Sequence, residues 1–268
     1  MTVTSGYLAT DGAAYETFLG RWTQRLAEPF LDFADLPDTG DLLDVGCGTG
    51  SLACAMAARS PGRHVAGIDI AEPYISYARS RASGPQPVFA VADAASLPYG
   101  TAQFAAAMAQ LSLNFVPAPD IALREMRRVT HSGGVVAAAG WDFRGGLVYQ
   151  RLFWDTAAGI DPAAGAARDR LFSAPLALPD GLPALFENAG FVRIERSSIT
   201  IRMDYANFDD YWRPVFGGQG PVGAYAAGLG AELRSRIEGA VRIAFCCGAP
   251  DGPRSMTATA WAVRGVVP

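Results

Sequence analysis

Residues 42–51 read Leu-Leu-Asp-Val-Gly-Cys-Gly-Thr-Gly-Ser, and this stretch decides the fold. Its first four residues are apolar except for one Asp, as in a short strand buried in a parallel sheet. Glycines then stand at every second position, at 46, 48 and 50. Residues 52–59 are rich in Ala and contain neither Gly nor Pro, so they are predicted to form a helix. A strand, a glycine turn and a helix in this order bring the backbone close to a ligand.

The glycine spacing separates two kinds of ligand. Loops that bind a dinucleotide pyrophosphate read G-x-G-x-x-G, and such a loop would need a third Gly where Ser51 stands. Here the pattern is G-x-G-x-G, and Asp44 precedes the first Gly by two residues. A carboxylate at this point would repel a pyrophosphate but could hold a cationic amino acid, directly or through ordered water. A ligand with a sulfonium, an ammonium and a carboxylate therefore suits the loop better than NAD does.

Two further acids stand where predicted strands end. Residues 64–70 are predicted as the second strand, and Asp69 near its end could accept hydrogen bonds from a ribose diol or cap the helix that starts at Glu72. Residues 87–91 are predicted as the third strand, and Asp93 follows it either as a ligand contact or as a turn residue. Doubly wound sheets bind ligands at this carboxyl edge.

These segments together resemble the class I S-adenosylmethionine (SAM) dependent methyltransferases. The pattern is most similar to the quinone-biosynthesis C-methyltransferase-like group, methyltransferase type 11. The stretch 42–51 resembles motif I of the family, and residues 91–98, with Asp93-Ala94 before a Leu-Pro, resemble its adenine-reading segment. Residues 15–22 and 125–134 resemble two further family segments, and in the second of them Ser132 stands where the family usually has Pro.

The resemblance implies an α/β fold, a Rossmann-like doubly wound sheet of seven strands in the order 3-2-1-4-5-7-6 with strand 7 antiparallel. The chain, 1–268, is then one methyltransferase domain, in which residues 10–35 form an N-terminal cover helix. The stretch 204–253 is too long for a hairpin turn and is predicted as a helical cap between strands 6 and 7. The remaining predicted elements are strands at 104–110, 135–141, 191–203 and 256–263, helices at 119–130 and 182–189, another helix around Phe153, and a break at 132–134.

The resemblance also implies SAM as the cofactor, with S-adenosylhomocysteine (SAH) as its product. Arg21 is expected to pair with the cofactor carboxylate, the alternative being a solvated helix Arg. Ile70 is expected to lie on the adenine face, while Asp93 accepts from the exocyclic amine and the Ala94 amide donates to the ring. The full set of expected cofactor contacts is Tyr15, Arg21, Asp44, Gly46, Cys47, Gly48, Asp69, Ile70, Asp93, Ala94 and Gln110.

The sequence indicates the residues that would bind the methyl acceptor less clearly than those that would bind the cofactor. The fold places the transferred methyl group near the end of the fourth strand, so Asn114 and Trp141 are expected to position the acceptor, with Tyr205 and Trp212 as cap residues of the pocket. The sequence contains no Lys, and neither of its two His residues is expected to reach the methyl group. Candidate bases are therefore Asp142 and Tyr211, unless Asp142 is a turn residue and the cap aromatics only pack the cap onto the core.

Composition narrows the class of protein. Half of the 268 residues are hydrophobic, which suffices for a full core, and no apolar run reaches the roughly 18 residues of a membrane span. Residues 1–10 lack the basic and apolar regions of a signal peptide, so a cytoplasmic protein is expected. The net charge of −4 argues against a nucleic-acid substrate. The four cysteines lack the spacing of zinc ligands, so no metal site is predicted.

Two functions remain open on these grounds. The first is methyl transfer from SAM to an N, O or C nucleophile of a small molecule, a specialised bacterial metabolite, by a monomer or homodimer that binds no membrane. The second is a SAM-binding protein on the same fold that transfers no methyl group, such as a cyclase-like catalyst or a regulatory binder. Fold and cofactor motifs do not separate these two functions. A NAD-dependent dehydrogenase is a weaker third reading because of the glycine spacing.

Overall fold

Seven strands pair into one sheet in this computed structural model, which describes residues 11–81 and 87–268. The strands are β1 (Leu42–Val45), β2 (Val65–Asp69), β3 (Val88–Val91), β4 (Phe104–Gln110), β5 (Thr130–Trp141), β6 (Val192–Tyr205) and β7 (Arg254–Val266). Their order in the sheet is β3-β2-β1-β4-β5-β7-β6. The first five strands run parallel, whereas β7 is antiparallel to both β5 and β6. The predicted fold class and strand order are confirmed.

Helices connect the strands and cover both faces of the sheet. They are α1 (Gly12–Tyr15), α2 (Arg21–Ala34), α3 (Ser51–Arg59), α4 (Glu72–Arg81), α5 (Pro119–Val129), α6 (Val148–Ala158), α7 (Pro162–Phe172), α8 (Gly181–Asn188), α9 (Phe208–Trp212), α10 (Gly220–Ala227) and α11 (Ala231–Cys246). A π-helix, Glu16–Gly20, joins α1 to α2, and short 3-10 turns lie at Leu113–Phe115, Pro175–Ala177 and Arg213–Gly217.

The N-terminal helical segment has Asp11 as its N-cap residue. The Asp11 carboxylate accepts hydrogen bonds from the backbone N–H groups of Ala13 and Ala14, at 2.8 and 3.2 Å. The segment ends at Ala34, because Asp35 adopts a left-handed conformation with φ of 50°. Residue 10, with which the predicted cover helix starts, and residues 1–10, on which the signal-peptide prediction rests, lie outside the described residues.

Alternation along β5 shows how the sheet divides two hydrophobic cores. Val135, Ala137, Ala139 and Trp141 face the larger core, which is closed by α2, α3, α6 and the helices after β6. Val136 and Ala138 face the smaller core beneath α5 and α8. Four of the seven residues of the neighbouring strand β4 are Ala, so helices can approach the sheet closely there. Because the residues of the central strands are small, helices can pack against both faces of the sheet, and both faces are buried, as in other parallel sheets.

Two features of the connections differ from the prediction. Residues 132–134, predicted as a break, belong to β5. The register against β4 shifts there, because the chain advances five positions along β5, from Thr130 to Val135, but only two along β4, from Phe104 to Ala106. Gly133, with φ of 79°, allows this bulge. The helix α7 was not predicted, although Asp161 caps it by accepting from the backbone N–H of Ala163 at 3.0 Å.

The predicted helical cap is present between β6 and β7. The helices α9, α10 and α11 follow β6, and α9 packs its aromatic side chains onto α6 and α11. Phe208 stacks on Trp212 with ring centroids 5.5 Å apart and meets Phe245 of α11 edge-on. Across residues 11–81 and 87–268, no helix has the length and apolar character needed to span a membrane.

Candidate functional site

The carboxyl ends of β1, β2 and β4 surround a cavity of about 230 Å³, referred to below as the main cavity. Loops that follow β1, β2, β3 and β4 supply most of its walls, and the N-terminal helical segment closes it. All predicted cofactor contacts except Arg21 line this cavity: Tyr15, Asp44, Gly46, Cys47, Gly48, Asp69, Ile70, Asp93, Ala94 and Gln110. Residues predicted from five separate segments thus meet at one place.

The glycine loop after β1 faces the main cavity with bare backbone. Gly46 has φ of 72°, and a Cβ there would overlap the Ser112 side chain, whose hydroxyl donates to the Val45 carbonyl at 2.8 Å. Gly48 has φ of 54°, but a Cβ there would meet no described atom within 4 Å. Since Gly48 lines the main cavity, the space beside it is open to a ligand. Packing requires the first glycine, and ligand access accounts for the second.

Asp44 places an unpaired carboxylate oxygen at the floor of the main cavity. The side chain is 1 % exposed, and its Oδ2 accepts from the backbone N–H of Ala53 at 3.0 Å. Its Oδ1 has no hydrogen-bond partner within the described part of the chain. Burial raises the pKa of Asp44 from its usual 3.8 to about 8, against the lowering effect of the Ala53 bond. A buried acid of this kind is complementary to a bound cation.

Asp69, at the end of β2, takes the capping role considered for it, and its ribose role stays a prediction. Its Oδ2 accepts from the Gly48 N–H at 2.9 Å, and its Oδ1 accepts from the Ala71 N–H at 2.8 Å, as a residue that leads into α4. Burial raises the pKa of Asp69, and these N–H groups oppose that rise. Each oxygen retains a lone pair for a ligand hydroxyl. Ile70 beside it is 72 % exposed and lines the main cavity, which gives a flat ring an apolar surface.

Asp93 and Gln110 complete the polar lining at the ends of β3 and β4. Asp93 forms a turn, since its Oδ1 accepts from the Ala95 N–H at 2.8 Å, and its side chain also lines the main cavity. Gln110 donates through Nε2 to the Thr23 carbonyl at 3.0 Å. The buried Oε1 of Gln110 has no partner among the described residues. The main cavity therefore presents unpaired acceptors rather than donors.

The N-terminal segment is fastened to the glycine loop by Glu16, which the sequence analysis missed. The Thr49 hydroxyl donates to Glu16 Oε1 at 2.5 Å, and Arg81 of α4 pairs with the same oxygen at 2.9 Å. Farther along, the hydroxyls of Thr23 and Ser51 lie 3.0 Å apart. The sequence did contain a hint of this contact, since Glu16 is an acidic residue near the N-terminal end of the predicted cover helix. These bonds hold the cover helix directly over the loop.

Arg21 requires a correction, because the structure places it away from the main cavity. Its guanidinium pairs with both carboxylate oxygens of Asp210 in α9, at 3.0 and 3.3 Å. It also lies 4.3 Å from the centre of the Trp22 ring. A carboxylate of this chain thus takes the bidentate contact that was assigned to a cofactor carboxylate. Arg21 joins the cover helix to the cap.

A second, small cavity of about 30 Å³ adjoins the main one and shares Tyr15, Leu111 and Phe115 with it. Leu111 follows β4 with φ of 62°, a conformation that is strained for a non-glycine residue. Trp141, predicted to position the acceptor, lines the small cavity. So does Gln150 of α6, which was not predicted and which no local sequence pattern marks as a site residue.

Three cap aromatics were assigned wrongly to the site. Tyr205, Trp212 and Tyr211 are each 5 % exposed or less, and none lines either cavity. The Tyr211 hydroxyl donates to the Tyr149 carbonyl at 2.8 Å, and burial raises the pKa of this phenol above its usual value of 10. A phenol that is buried and already bonded is no base for an acceptor. These rings pack the cap onto the core, which was the alternative considered.

Asn114 and Asp142 also lie outside both cavities. The Asn114 side chain abuts Gly140, which faces the smaller core, whereas Trp141 faces the larger one. Asn114 therefore cannot act beside Trp141. Asp142 closes the turn after β5, where its Oδ1 accepts from the N–H groups of Arg144 and Gly145 at 3.1 and 2.9 Å. This is the turn role considered for it, so neither catalytic candidate lies at the site.

The strand order and the cavity at the carboxyl ends of the strands are those of a Rossmann-like α/β protein. Comparisons with known proteins make this assignment more specific. Residues 43–138 match the family model described as methyltransferase domain. The chain is 30 % identical over 185 residues to methyltransferase GfsG of Streptomyces halstedii, a match that covers 66 % of this chain and 62 % of the relative. It is 37 % identical over 138 residues to 27-O-demethylrifamycin SV methyltransferase of Amycolatopsis mediterranei, over 49 % of this chain and 48 % of the relative.

The chain thus matches less than two thirds of the length of each of these curated relatives. Among solved structures, the [4+2]-cyclase SpnF superposes with a TM-score of 0.52 at 24 % identity, over 99 % of this chain and 88 % of that one. At this identity the likeness concerns the fold alone. Residues 43–138 match a methyltransferase domain, and the resemblance to the class I SAM-dependent methyltransferases seen in the sequence is confirmed.

Proposed function

We propose that this protein binds SAM in the main cavity and transfers its methyl group to a small-molecule acceptor. The observation that carries the proposal is the unpaired Oδ1 of buried Asp44 beside the open face of Gly48. A ligand with an ammonium group satisfies the first, and a ligand that lies along the bare backbone fills the second.

The other lining residues fit the remaining parts of SAM. Asp69 can accept from the ribose hydroxyls, and exposed Ile70 offers its apolar surface to the adenine ring. Asp93 and Ala94 line the end of the main cavity at which the base would lie. When bound, SAM would supply an electrophilic methyl group.

The chain contributes position and shielding rather than a base. His64 and His131 are exposed and line neither cavity. Among the described residues of the small cavity, Tyr15 is the one with an ionisable side chain. The acceptor would therefore react as an amine, an enolate-like carbon or an already acidic hydroxyl, brought into line by the walls of the site.

One of the relatives supports a small acceptor by its name, 27-O-demethylrifamycin SV methyltransferase, and both of the relatives named above come from bacteria. We extend this to a specialised bacterial metabolite as the acceptor of the present chain. The cyclase likeness rests on fold alone and does not favour a second function.

The test has two stages. Calorimetric titration should detect binding of SAM and SAH and no binding of NAD at the same concentrations. Incubation with methyl-labelled SAM and a panel of small acceptors should then yield a labelled product. Binding of NAD in preference to SAM would contradict the cofactor assignment. Binding of SAM without label transfer to any of the acceptors would favour a protein of the binding or cyclase-like kind.

A further inference from the structure

The small cavity has a chemical character that differs from that of the main cavity. Its aromatic walls include Phe18, Phe115, Trp141 and Phe143. Gly220 and Pro221, at the start of α10 in the cap, also line it. None of the described residues that line it carries a charge. A charged group would lose its hydration on entering such a space without gaining a partner of opposite sign.

Besides Tyr15 with its hydroxyl, two residues of this lining, Trp141 and Gln150, carry a polar side-chain atom. Nε1 of Trp141 is a donor, and Oε1 of Gln150 is an acceptor. Both residues are 3 % exposed, and neither atom has a hydrogen-bond partner within residues 11–81 and 87–268. The other end of the Gln150 amide is fixed, because Nε2 donates to the Tyr149 hydroxyl at 2.9 Å. Buried polar groups are normally satisfied, so this pair indicates a missing partner.

We propose that the small cavity binds a neutral hydroxyl group of the acceptor, which accepts from Trp141 Nε1 and donates to Gln150 Oε1. A hydroxyl carries both a donor and acceptor lone pairs. An ether or a ketone could satisfy the indole but not the amide oxygen, and an ammonium could satisfy the amide oxygen but not the indole. A carboxylate would be buried without a cation. Of these groups only the hydroxyl complements both atoms, and it is smaller than an amide, which also has a donor and an acceptor.

The dimensions agree with a group of this size. A volume of about 30 Å³ holds a water molecule and no more than a few atoms. The acceptor hydroxyl would replace such a water, while the rest of the acceptor extends toward the residues that the two cavities share, Tyr15, Leu111 and Phe115. This inference rests on the proposed function for its location, since it names the acceptor group for that site.

The experiment uses three probes with a common ring: phenol, anisole and benzylamine. Their affinities are measured by ligand-observed NMR titration on the full chain, once with SAH and once without it. We expect phenol to bind about three- to tenfold more tightly than anisole, as one neutral hydrogen bond predicts, and still more tightly than benzylammonium. In Gln150→Leu the phenol affinity should fall to that of anisole, and the anisole affinity should stay unchanged.

A matched control and a second variant keep the result interpretable. Thr130→Val also removes a buried hydroxyl bond, that of Thr130 to the Met126 carbonyl at 2.8 Å, but Thr130 lines neither cavity, so the preference for phenol should persist. Trp141→Phe should instead weaken phenol and anisole binding alike, by about three- to tenfold, because both oxygens accept from the indole, and it tests the subsite if Gln150→Leu does not fold.

The outcomes separate this inference from the proposed function. Equal binding of phenol and anisole, no detectable phenol binding, a preference that survives Gln150→Leu, or a phenol affinity that is unchanged in Trp141→Phe would overturn the hydroxyl subsite. Failure of SAH to bind, measured in a separate titration, would overturn the proposed function. The probe titrations without SAH would still decide the subsite in that case.

Discussion

The main cavity and the small cavity differ in charge. The main cavity is acidic, with Asp44, Asp69 and Asp93 at the ends of three neighbouring strands. The small cavity next to it is uncharged along its described lining, and its walls come from the N-terminal segment, β5, α6 and the cap. The first kind of site suits a cationic cofactor with many hydrogen-bonding groups, and the second suits a largely apolar acceptor.

The difference also concerns how each site depends on the fold. Residues of the main cavity follow directly from strand ends, which a parallel sheet brings to one edge. Residues of the small cavity meet only after α6 and the cap have packed against the cover helix. Changes to the first site should therefore act mainly on cofactor affinity, and changes to the second on acceptor selection.

The largest expected effect comes from filling the open face of the glycine loop. Gly48→Val should weaken SAM binding by more than about 100-fold, because the added side chain would take the space that the ligand needs. Calorimetry with SAM and SAH measures this effect. Gly62→Val is the matched control, since Gly62 also has a positive φ, of 86°, and open space around it but lines neither cavity.

Both variants should lose some stability from backbone strain, which thermal unfolding would show. Only Gly48→Val should lose cofactor affinity. If Gly62→Val weakened SAM binding as much, strain rather than ligand space would explain the effect, and the comparison of the two glycines would fail.

The same division explains what could be predicted from the sequence. The glycine loop, Asp69 and Asp93 sit in short motifs whose spacing fixes their place at the sheet edge, so the acidic and glycine residues of the main cavity could be predicted. Arg21 was misplaced because its partner, Asp210, is 189 positions away, and no local pattern indicates that choice. Gln150 was missed for the same reason, as its surroundings form only in the folded chain.

The cap shows the limit most clearly. The aromatic residues of the cap indicate buried side chains, and these side chains are buried. Composition alone, however, does not distinguish a ring that lines a pocket from a ring that packs one helix against another. Tyr211 and Trp212 turned out to pack against Phe208 and its neighbours. The bulge at Gly133 was likewise predicted as a break, since a glycine pair marks both.

The next effect in size concerns the ribose contact. Asp69→Ala should weaken SAM binding by about 1–3 kcal/mol, through loss of charge-assisted hydrogen bonds to the ligand and of the bond that fixes Gly48. Asp69→Asn, which keeps one acceptor oxygen, should lose less. Calorimetric affinities that match wild type in Asp69→Ala would exclude Asp69 from the ribose role.

A smaller effect should appear in the pH dependence of cofactor binding. Asp44 has a pKa of about 8 in the cofactor-free protein, so below pH 8 it must release a proton before its carboxylate can pair with an ammonium. Affinity for SAM should accordingly fall by about eightfold between pH 7.5 and pH 6.5. Asp44→Asn should bind more weakly and without this slope. A wild-type affinity that is flat from pH 6 to 7.5 would contradict the pairing.

The same carboxyl should oppose folding of the cofactor-free protein as the pH rises. Its pKa is raised from 3.8 to about 8 in the folded state, so the folded state holds the proton more tightly than the unfolded state does. Stability from this group is therefore complete below pH 4 and is lost as the pH rises toward 8. Asp44→Asn should unfold at a higher temperature than wild type at pH 8 and show little difference at pH 4.

The smallest expected effect on function belongs to the cap. Tyr211→Phe removes the hydroxyl that donates to the Tyr149 carbonyl, which should cost about 1 kcal/mol of stability, as measured by denaturant unfolding. Because Tyr211 lines neither cavity, methyl transfer by the folded variant should stay within about threefold of wild type, with an unchanged pH–rate profile. A large loss of turnover at unchanged SAM affinity, together with a missing limb of the pH profile, would make Tyr211 a base after all. The cap would then reach the reacting atoms, and the division between a packing cap and an acceptor cavity lined by Trp141 and Gln150 would have to be redrawn.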